Sequence, residues 1–370
     1  MQPHRSSATL FALILALLII YASLYPFIGW RDQGINPFYF LTSPWPRYWS
    51  RFDVVANFLG YAPLGLLATL SILRTRLLPQ PALLAALACS LLSMLLEALQ
   101  SYLPYRVPAL SDWLLNGAGA LTGALAAVAL ERFGVVDHWS RFRARWFVRD
   151  ARLSLVLLAL WPAALLFPPA VPLALGQVRR RLHGVFDHWL DGTPLAALID
   201  EPVGYVLPLS NLGELICVSL GFIIPCLLAY TITLGWHRRA LLWLGGVCVA
   251  FGASSLSAAL SYSPDNAWGW VSLPSAVGLC VGVVIALLCI ALPRKLCLGL
   301  LLAALGWQLS LINGAPETPY YAQALQSWEQ GRFIRFHGLA QWLGWLWPYA
   351  ALVAALAALS RKDNSNSSSR

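Results

Sequence analysis

The stretch Pro81–Leu103, PALLAALACSLLSMLLEALQSYL, decides the fold class, because it runs 23 residues with a single charged side chain, Glu97. An apolar run of about 20 residues crosses the ~30 Å hydrocarbon core of a bilayer as a helix. Comparable runs recur on both sides of it, and ten spans are read along the 370 residues, at 8–28, 53–73, 81–103, 112–130, 153–175, 212–234, 240–262, 271–292, 296–313 and 338–359. The composition agrees, with 59% hydrophobic residues, 11% charged residues and a mean hydropathy of +0.66. A soluble domain carries about 25% charged residues, so a soluble enzyme and a disordered regulator are both excluded. The expected fold is all-α: a polytopic transmembrane helical bundle of about ten spans.

Four regions follow: a four-helix transmembrane region at 1–130, a basic cytoplasmic loop at 131–152, a second transmembrane region of six helices at 153–360 and a disordered tail at 361–370. The N-terminal apolar stretch ends in Tyr25-Pro26-Phe27 rather than a small-residue cleavage site, so it reads as a retained first helix. The formal net charge is +9, and topology explains it better than nucleic acid does. With both termini inside, 16 of the 25 basic residues fall in inner segments. That bias places both termini in the cytoplasm and the chain in a bacterial inner membrane. Arg179-Arg180-Arg181 runs against it, in a long outer loop.

Three outer segments are long. Gly29–Phe52 is rich in Trp and Pro and reads as an irregular interfacial segment. Leu182, Val185, Phe186 and Trp189 form one apolar face beside the arginine triplet, the pattern of a helix on the membrane surface. Thr318-Pro319 opens a third such segment, in which Tyr321, Leu325 and Trp328 share a face. The seven cysteines lie in spans or at their edges with no CxxC pair, so no disulfide framework or zinc site is expected.

The sequence also carries a candidate worn repeat. Asp53, Leu59-Gly60 and Tyr61 match Glu214, Leu220-Gly221 and Phe222 at an offset of 161, and Gly119 and Gly123 match Gly278 and Gly282 at 159. Spans 1–4 and 5–8 would then be degenerate parallel copies. The second copy replaces Asn57, Glu97 and Asp112 with Val218, Ser257 and Ser272. The chemistry is therefore expected in the first half.

Ionisable residues inside a membrane are costly and usually functional. Here they gather in spans 2 to 4: Asp53 and Asn57, Glu97 and Gln100, and Asp112 and Asn116, each pair on one face of its helix, with Arg106 in the connection between spans 3 and 4. All fall at the outer side of the proposed topology, with Glu97 roughly 9 Å below the end of its helix. Gly119 and Gly123 let a neighbouring helix approach closely, and Pro63 with Gly65 permits a kink in span 2. Three carboxylates against one arginine disfavour a bare phosphate. Asp53, Glu97 and Asp112 could hold a hard divalent cation such as Mg²⁺ or Ca²⁺. Alternatively, a protonated Glu97 beside an ionised neighbour forms an acid/base pair, with Glu97 the candidate catalytic group. Capping also accounts for Asp53 and Asp112, which stand at helix starts. No histidine lies near the set, so zinc hydrolysis is not expected.

The string Asp53-x3-Asn57-x5-Pro63-x-Gly65, then Glu97-x2-Gln100, Arg106, and Asp112-x3-Asn116-x2-Gly119-x3-Gly123, resembles the VanZ-like family over about residues 8–130. The founding member of that family is associated with tolerance to the glycopeptide teicoplanin. The resemblance implies a cell-envelope membrane protein but carries over no established catalysis. The expected function is an outer-leaflet polar site that binds a lipid or lipid-linked glycan head group, with membrane lipids as partners, a lipid-linked glycan or glycopeptide as a further one, and no nucleic acid. An enzyme of lipid-linked substrates, a proton-coupled transporter and a structural partner protein are the alternatives.

Overall fold

The structure is a computed structural model that describes residues 7–25, 27, 29–44, 51–75, 79–167, 169–179, 209–262, 264–315 and 334–360. The surface helices expected around 182–189 and 318–328, and the tail at 361–370, lie outside the described residues. Eleven α-helices are described: α1 Ser7–Leu24, α2 Arg51–Thr75, α3 Pro81–Gln100, α4 Leu110–Arg132, α5 Val135–Trp146, α6 Arg152–Leu166, α7 Asn211–Ile232, α8 Trp236–Tyr262, α9 Leu273–Leu288, α10 Arg294–Gly314 and α11 Ile334–Ser360. Among the described residues there is no strand, only an isolated bridge between Phe147 and Thr233. Nine of these described helices are long and apolar enough to cross a membrane. The chain divides into two compact units, Met1–Ala144 and Arg145–Arg370.

The first unit holds α1 to α4. Its tightest packing is between α2 and α4, where glycine supplies the contact. A Cβ on Gly119 would strike the Phe58 carbonyl, one on Gly123 the Ala62 carbonyl, and one on Gly65 the Ala120 carbonyl. Without a hydrophobic force between helices in lipid, such close backbone approach is what holds a membrane helix pair together. The two contacts of α4 on α2 advance four residues on each helix, so the helices run parallel. α2 continues as helix through Pro63, and Gly65 serves the approach of α4. A small apolar cluster of Ile19, Leu24, Tyr61, Leu64, Cys89, Leu96, Leu103 and Ala120 joins the four helices. The segment 29–44 is irregular apart from a short 3-10 turn at Tyr39–Thr42, and it is tied to the α3–α4 connection by Arg31 N donating to Tyr102 O at 3.0 Å.

The second unit is built around α7, in which every residue from Cys217 to Ile232 is buried. α9 packs on it with the same device: Gly278 lies against the Leu215 carbonyl and Gly282 against the Ser219 carbonyl. Ser219 Oγ adds a hydrogen bond to Gly278 O at 2.7 Å, and Tyr230 OH donates to Ala286 O at 3.1 Å. These contacts set Leu215 to Gly278 as Phe58 is set to Gly119, a separation of 157 residues from Phe58 to Leu215. That is one helical turn away from the residue matching read in the sequence, and it brings Glu214 level with Asn57 rather than Asp53. Gly60 and Gly221, matched in sequence, also differ: a Cβ on Gly60 meets nothing within 4 Å, whereas one on Gly221 strikes the Leu173 carbonyl.

Two expected regions differ from the structure. The basic segment expected as a loop at 131–152 contains the amphipathic helix α5. The span expected at 153–175 is a helix only to Leu166, and its 15 residues cover roughly 22 Å. The reason is the run Phe167-Pro168-Pro169, since a residue before proline is pushed out of the α region, and Phe167 is extended at φ −72°, ψ 126°. The chain beyond is irregular yet buried, with Phe167, Val171, Leu173, Ala174 and Leu175 all at or below 5% exposure. Irregular backbone inside an apolar slab must find polar partners from the protein itself, and it does. Gln308 Nε2 donates to Leu175 O at 3.3 Å, and Asn313 Nδ2 donates to Gly176 O at 2.9 Å. Asn313 Oδ1 accepts from both Val178 N and Arg179 N at 2.9 Å, and Gly176 N donates to Gly344 O at 3.0 Å. Gln308 and Asn313 of α10 thus supply the polar partners of this segment.

α11 is pinned to α6 by Trp347 Nε1, which donates to Leu157 O at 2.7 Å in a buried contact. Trp347→Phe keeps most of the ring volume and removes the donor. It is expected to cost about 1 kcal/mol, the usual size of a helix–helix hydrogen bond in membranes. Thermal unfolding of the detergent-solubilised variant checks this.

Candidate functional site

α3 presents Ser93 and Glu97, one turn apart, on the face that meets α4. Glu97 is 4% exposed, and its Oε2 accepts from Ala109 N at 3.0 Å. Ala109 is the N-cap residue of α4 and has no side-chain oxygen of its own to cap with. The first N–H groups of a helix lack internal partners, so the Glu97 carboxylate meets that need from the neighbouring helix. Asp112 stands in the first turn of the same helix, where the macrodipole favours a negative charge. The charges acting on Glu97 are those of Asp112 and Arg106. These three expected site residues are therefore brought together at the start of α4.

Arg106 faces another way as well. Its NH2 donates to Ala22 O and to Tyr25 O, each at 2.9 Å. Gln100 Nε2 donates to Ser23 O at 3.1 Å. Both side chains thus satisfy carbonyls at the C-terminal end of α1, where a cation also complements the dipole. Gln100 and Arg106 thus fasten the end of α1.

Deeper in the unit, Asn116 is 5% exposed, and its Nδ2 donates to Ser93 Oγ at 2.9 Å. Its Oδ1 is buried and accepts no hydrogen bond. Tyr61 of α2, 4% exposed, belongs to the same buried cluster as Cys89, Leu96 and Ala120. Trp113 Nε1 donates to Ser90 O at 3.1 Å, fixing the rotation of α4 on α3. The site is therefore a polar line running inward from Asp112 and Glu97 to Ser93, Asn116 and Tyr61. Asp53 and Asn57 are partly buried in the first two turns of α2. The parallel glycine register sets those turns level with the start of α4.

Ser93 and Tyr61 escape a search for ionisable residues. Ser93 shows one signal, its place four residues before Glu97 on the same helix face; Tyr61 reads as an ordinary apolar position. Among the described residues, no three His, Cys, Asp or Glu side chains form a group that could hold a metal ion. Asp53, Glu97 and Asp112 are accordingly not gathered into one such group. What the site offers is acceptors: the two carboxylates and the buried Asn116 Oδ1. It suits a partner rich in hydrogen-bond donors.

Residues 8–131, about a third of the chain, match the VanZ/LLP1 family. The matched stretch begins one residue into α1 and ends one residue before the end of α4. It contains every residue of the polar line. No curated protein and no solved structure matches the chain.

Proposed function

We propose that the VanZ-like region binds the head group of a lipid or lipid-linked glycan at the end of the bundle where α2 and α4 begin. The observation that carries this is the buried, unbonded Asn116 Oδ1, whose amide is bonded to Ser93 one turn of α3 inward from Glu97. A buried acceptor without a partner costs about 1–3 kcal/mol, and a sugar hydroxyl or an ammonium group removes that cost. Arg106 is engaged by α1 carbonyls, and the N-terminus of α4 already carries Glu97 and Asp112. A phosphate there would lie against the Asp112 carboxylate. The recognised part is the amine or the sugar, and the acyl or prenyl chain lies in the bilayer.

In this reading the site opens to the outer leaflet of a bacterial inner membrane, with both termini cytoplasmic. On the same reading α6 and the buried segment that follows it together make one crossing, which gives an even number. A protein that holds a lipid-linked glycan in that leaflet can alter how a glycopeptide reaches it, which is the route by which this chain would contribute to teicoplanin-type tolerance.

A second reading is structural, and the bonds from Glu97 to Ala109, Gln100 to Ser23 and Arg106 to Ala22 favour it. Native mass spectrometry separates the two. Wild-type protein is compared with Glu97→Gln and Asn116→Ala in the presence of phosphatidylethanolamine, a polyprenyl-linked sugar and phosphatidylglycerol. The amide introduced by Glu97→Gln keeps an acceptor for Ala109 N and so preserves the fold. Head-group binding predicts a discrete adduct with one of the first two lipids. It weakens roughly tenfold or more in both variants, as loss of a charge-assisted hydrogen bond implies. If folded Glu97→Gln keeps the wild-type adducts, the structural reading stands instead.

A further inference from the structure

α5 has no part in the site just described, and none of its residues is buried. Its apolar residues are gathered on one side: Val135 is 46% exposed, Trp139 54% and Phe142 39%. Their spacing, i, i+4, i+7, places them on a single helical face. Trp139 and Phe142 stack with ring centroids 5.6 Å apart, and Phe133, just before the helix, is 81% exposed. Arg141 and Arg145 project from the flank, and the segment 131–152 holds six arginines against three acids.

Two observations fix the level at which this helix lies. Only Phe133 and Gly134 separate it from α4, and Gly134 takes the left-handed conformation at φ +70° that turns the chain sharply. From the side, Arg74 in the last turn of α2 donates its NH2 to Ser140 Oγ at 2.7 Å. The helix is therefore held level with the ends of two membrane-crossing helices. Ser140 stands well round the helix from the Val135–Trp139–Phe142 face, which stays exposed.

An aromatic face at the boundary between water and hydrocarbon, flanked by arginines, matches the chemistry of an anionic lipid surface. We propose that α5 lies in the membrane interface and binds anionic lipid head groups, with Trp139 and Phe142 among the acyl chains and Arg132 and Arg141 at the phosphates. This does not rest on the head-group site in α3 and α4.

The test uses full-length protein in nanodiscs of phosphatidylcholine alone or with phosphatidylglycerol, and follows amide hydrogen exchange at residues 135–146. Exchange is expected to slow roughly tenfold when the anionic lipid is present. The slowing should be lost in Arg132→Gln/Arg141→Gln. In Trp139→Ser/Phe142→Ser exchange should be fast in both bilayers. All four positions are exposed, so exchange in α2 and α4 stays as in wild type and reports that the fold is intact. Equal exchange of wild type in the two bilayers overturns the proposal. So does anionic slowing that survives the arginine changes, which would mean that Arg132 and Arg141 do not hold the phosphates.

Discussion

Gly123→Ala lowers the thermal unfolding midpoint of the solubilised protein, while Gly60→Ala raises it: this opposed pair is the expected result of two glycines placed differently on the same helix contact. The Cβ added at position 123 runs into the Ala62 carbonyl and closes to 3.0 Å on the Leu66 amide nitrogen. Both obstacles are backbone, so no rotamer change relieves them, and α2 and α4 must separate. Forcing atoms into a closed contact costs about 1–3 kcal/mol, against a gain of up to ~1 kcal/mol for alanine over glycine in a helix. Separation also loosens Gly65 and Gly119 in the same crossing, which puts the net loss near ~2 kcal/mol. The double change Gly119→Ala/Gly123→Ala is expected to unfold the first unit outright. At Gly60 nothing stands within 4 Å of the new Cβ, and the propensity gain acts alone. Thermal denaturation followed by cysteine accessibility is the measurement, because Cys89 is buried in the first unit. A Gly123→Ala protein as stable as wild type would mean that α2 and α4 do not touch backbone to backbone.

The second large effect is expected at Arg106. Its guanidinium closes the end of α1 by bonding Ala22 O and Tyr25 O. Arg106→Ala removes both bonds and the favourable charge at the helix end, a loss of about 2 kcal/mol. The damage is local. Hydrogen exchange of residues 20–27 should accelerate by more than tenfold, while α7 in the second unit is unchanged. Arg106→Lys keeps the charge but not the planar fork of donors, so it should restore part of the protection. Had Arg106 served mainly to hold a phosphate, Arg106→Ala would leave α1 protected and alter only lipid binding.

How far the sequence could be read depended on the range of the interactions. Apolar runs decided nine membrane-length helices, because burial in lipid is a property of composition over about 20 residues. Glu97 and Asp112 stood out because charge within a span is rare, and Gly119 and Gly123 because small residues recur at helical spacing. The use made of Arg106 was not legible, since its partners are main-chain carbonyls more than 80 residues away. Carbonyls carry no sequence signal. Ser93 and Tyr61 were hidden for a related reason: a serine or tyrosine looks alike whether it faces lipid or a neighbouring amide. The uniform hydropathy of 153–175 reads as one full helix, whereas Pro168 and Pro169 end it at Leu166. The charge of 131–152 reads as a loop and hides the 3.6-residue period of α5.

The buried segment after α6 bears on the order in which the protein is made. Its main-chain groups at Leu175, Gly176 and Val178 are satisfied by Gln308 and Asn313, 133 to 137 residues further along. While a ribosome is still short of those codons, this stretch has no polar partners and cannot rest in hydrocarbon. α6 is then expected to enter the bilayer first, with the segment behind it held back until α10 supplies its two amides. A nascent chain halted before residue 294 should leave the segment open to protease.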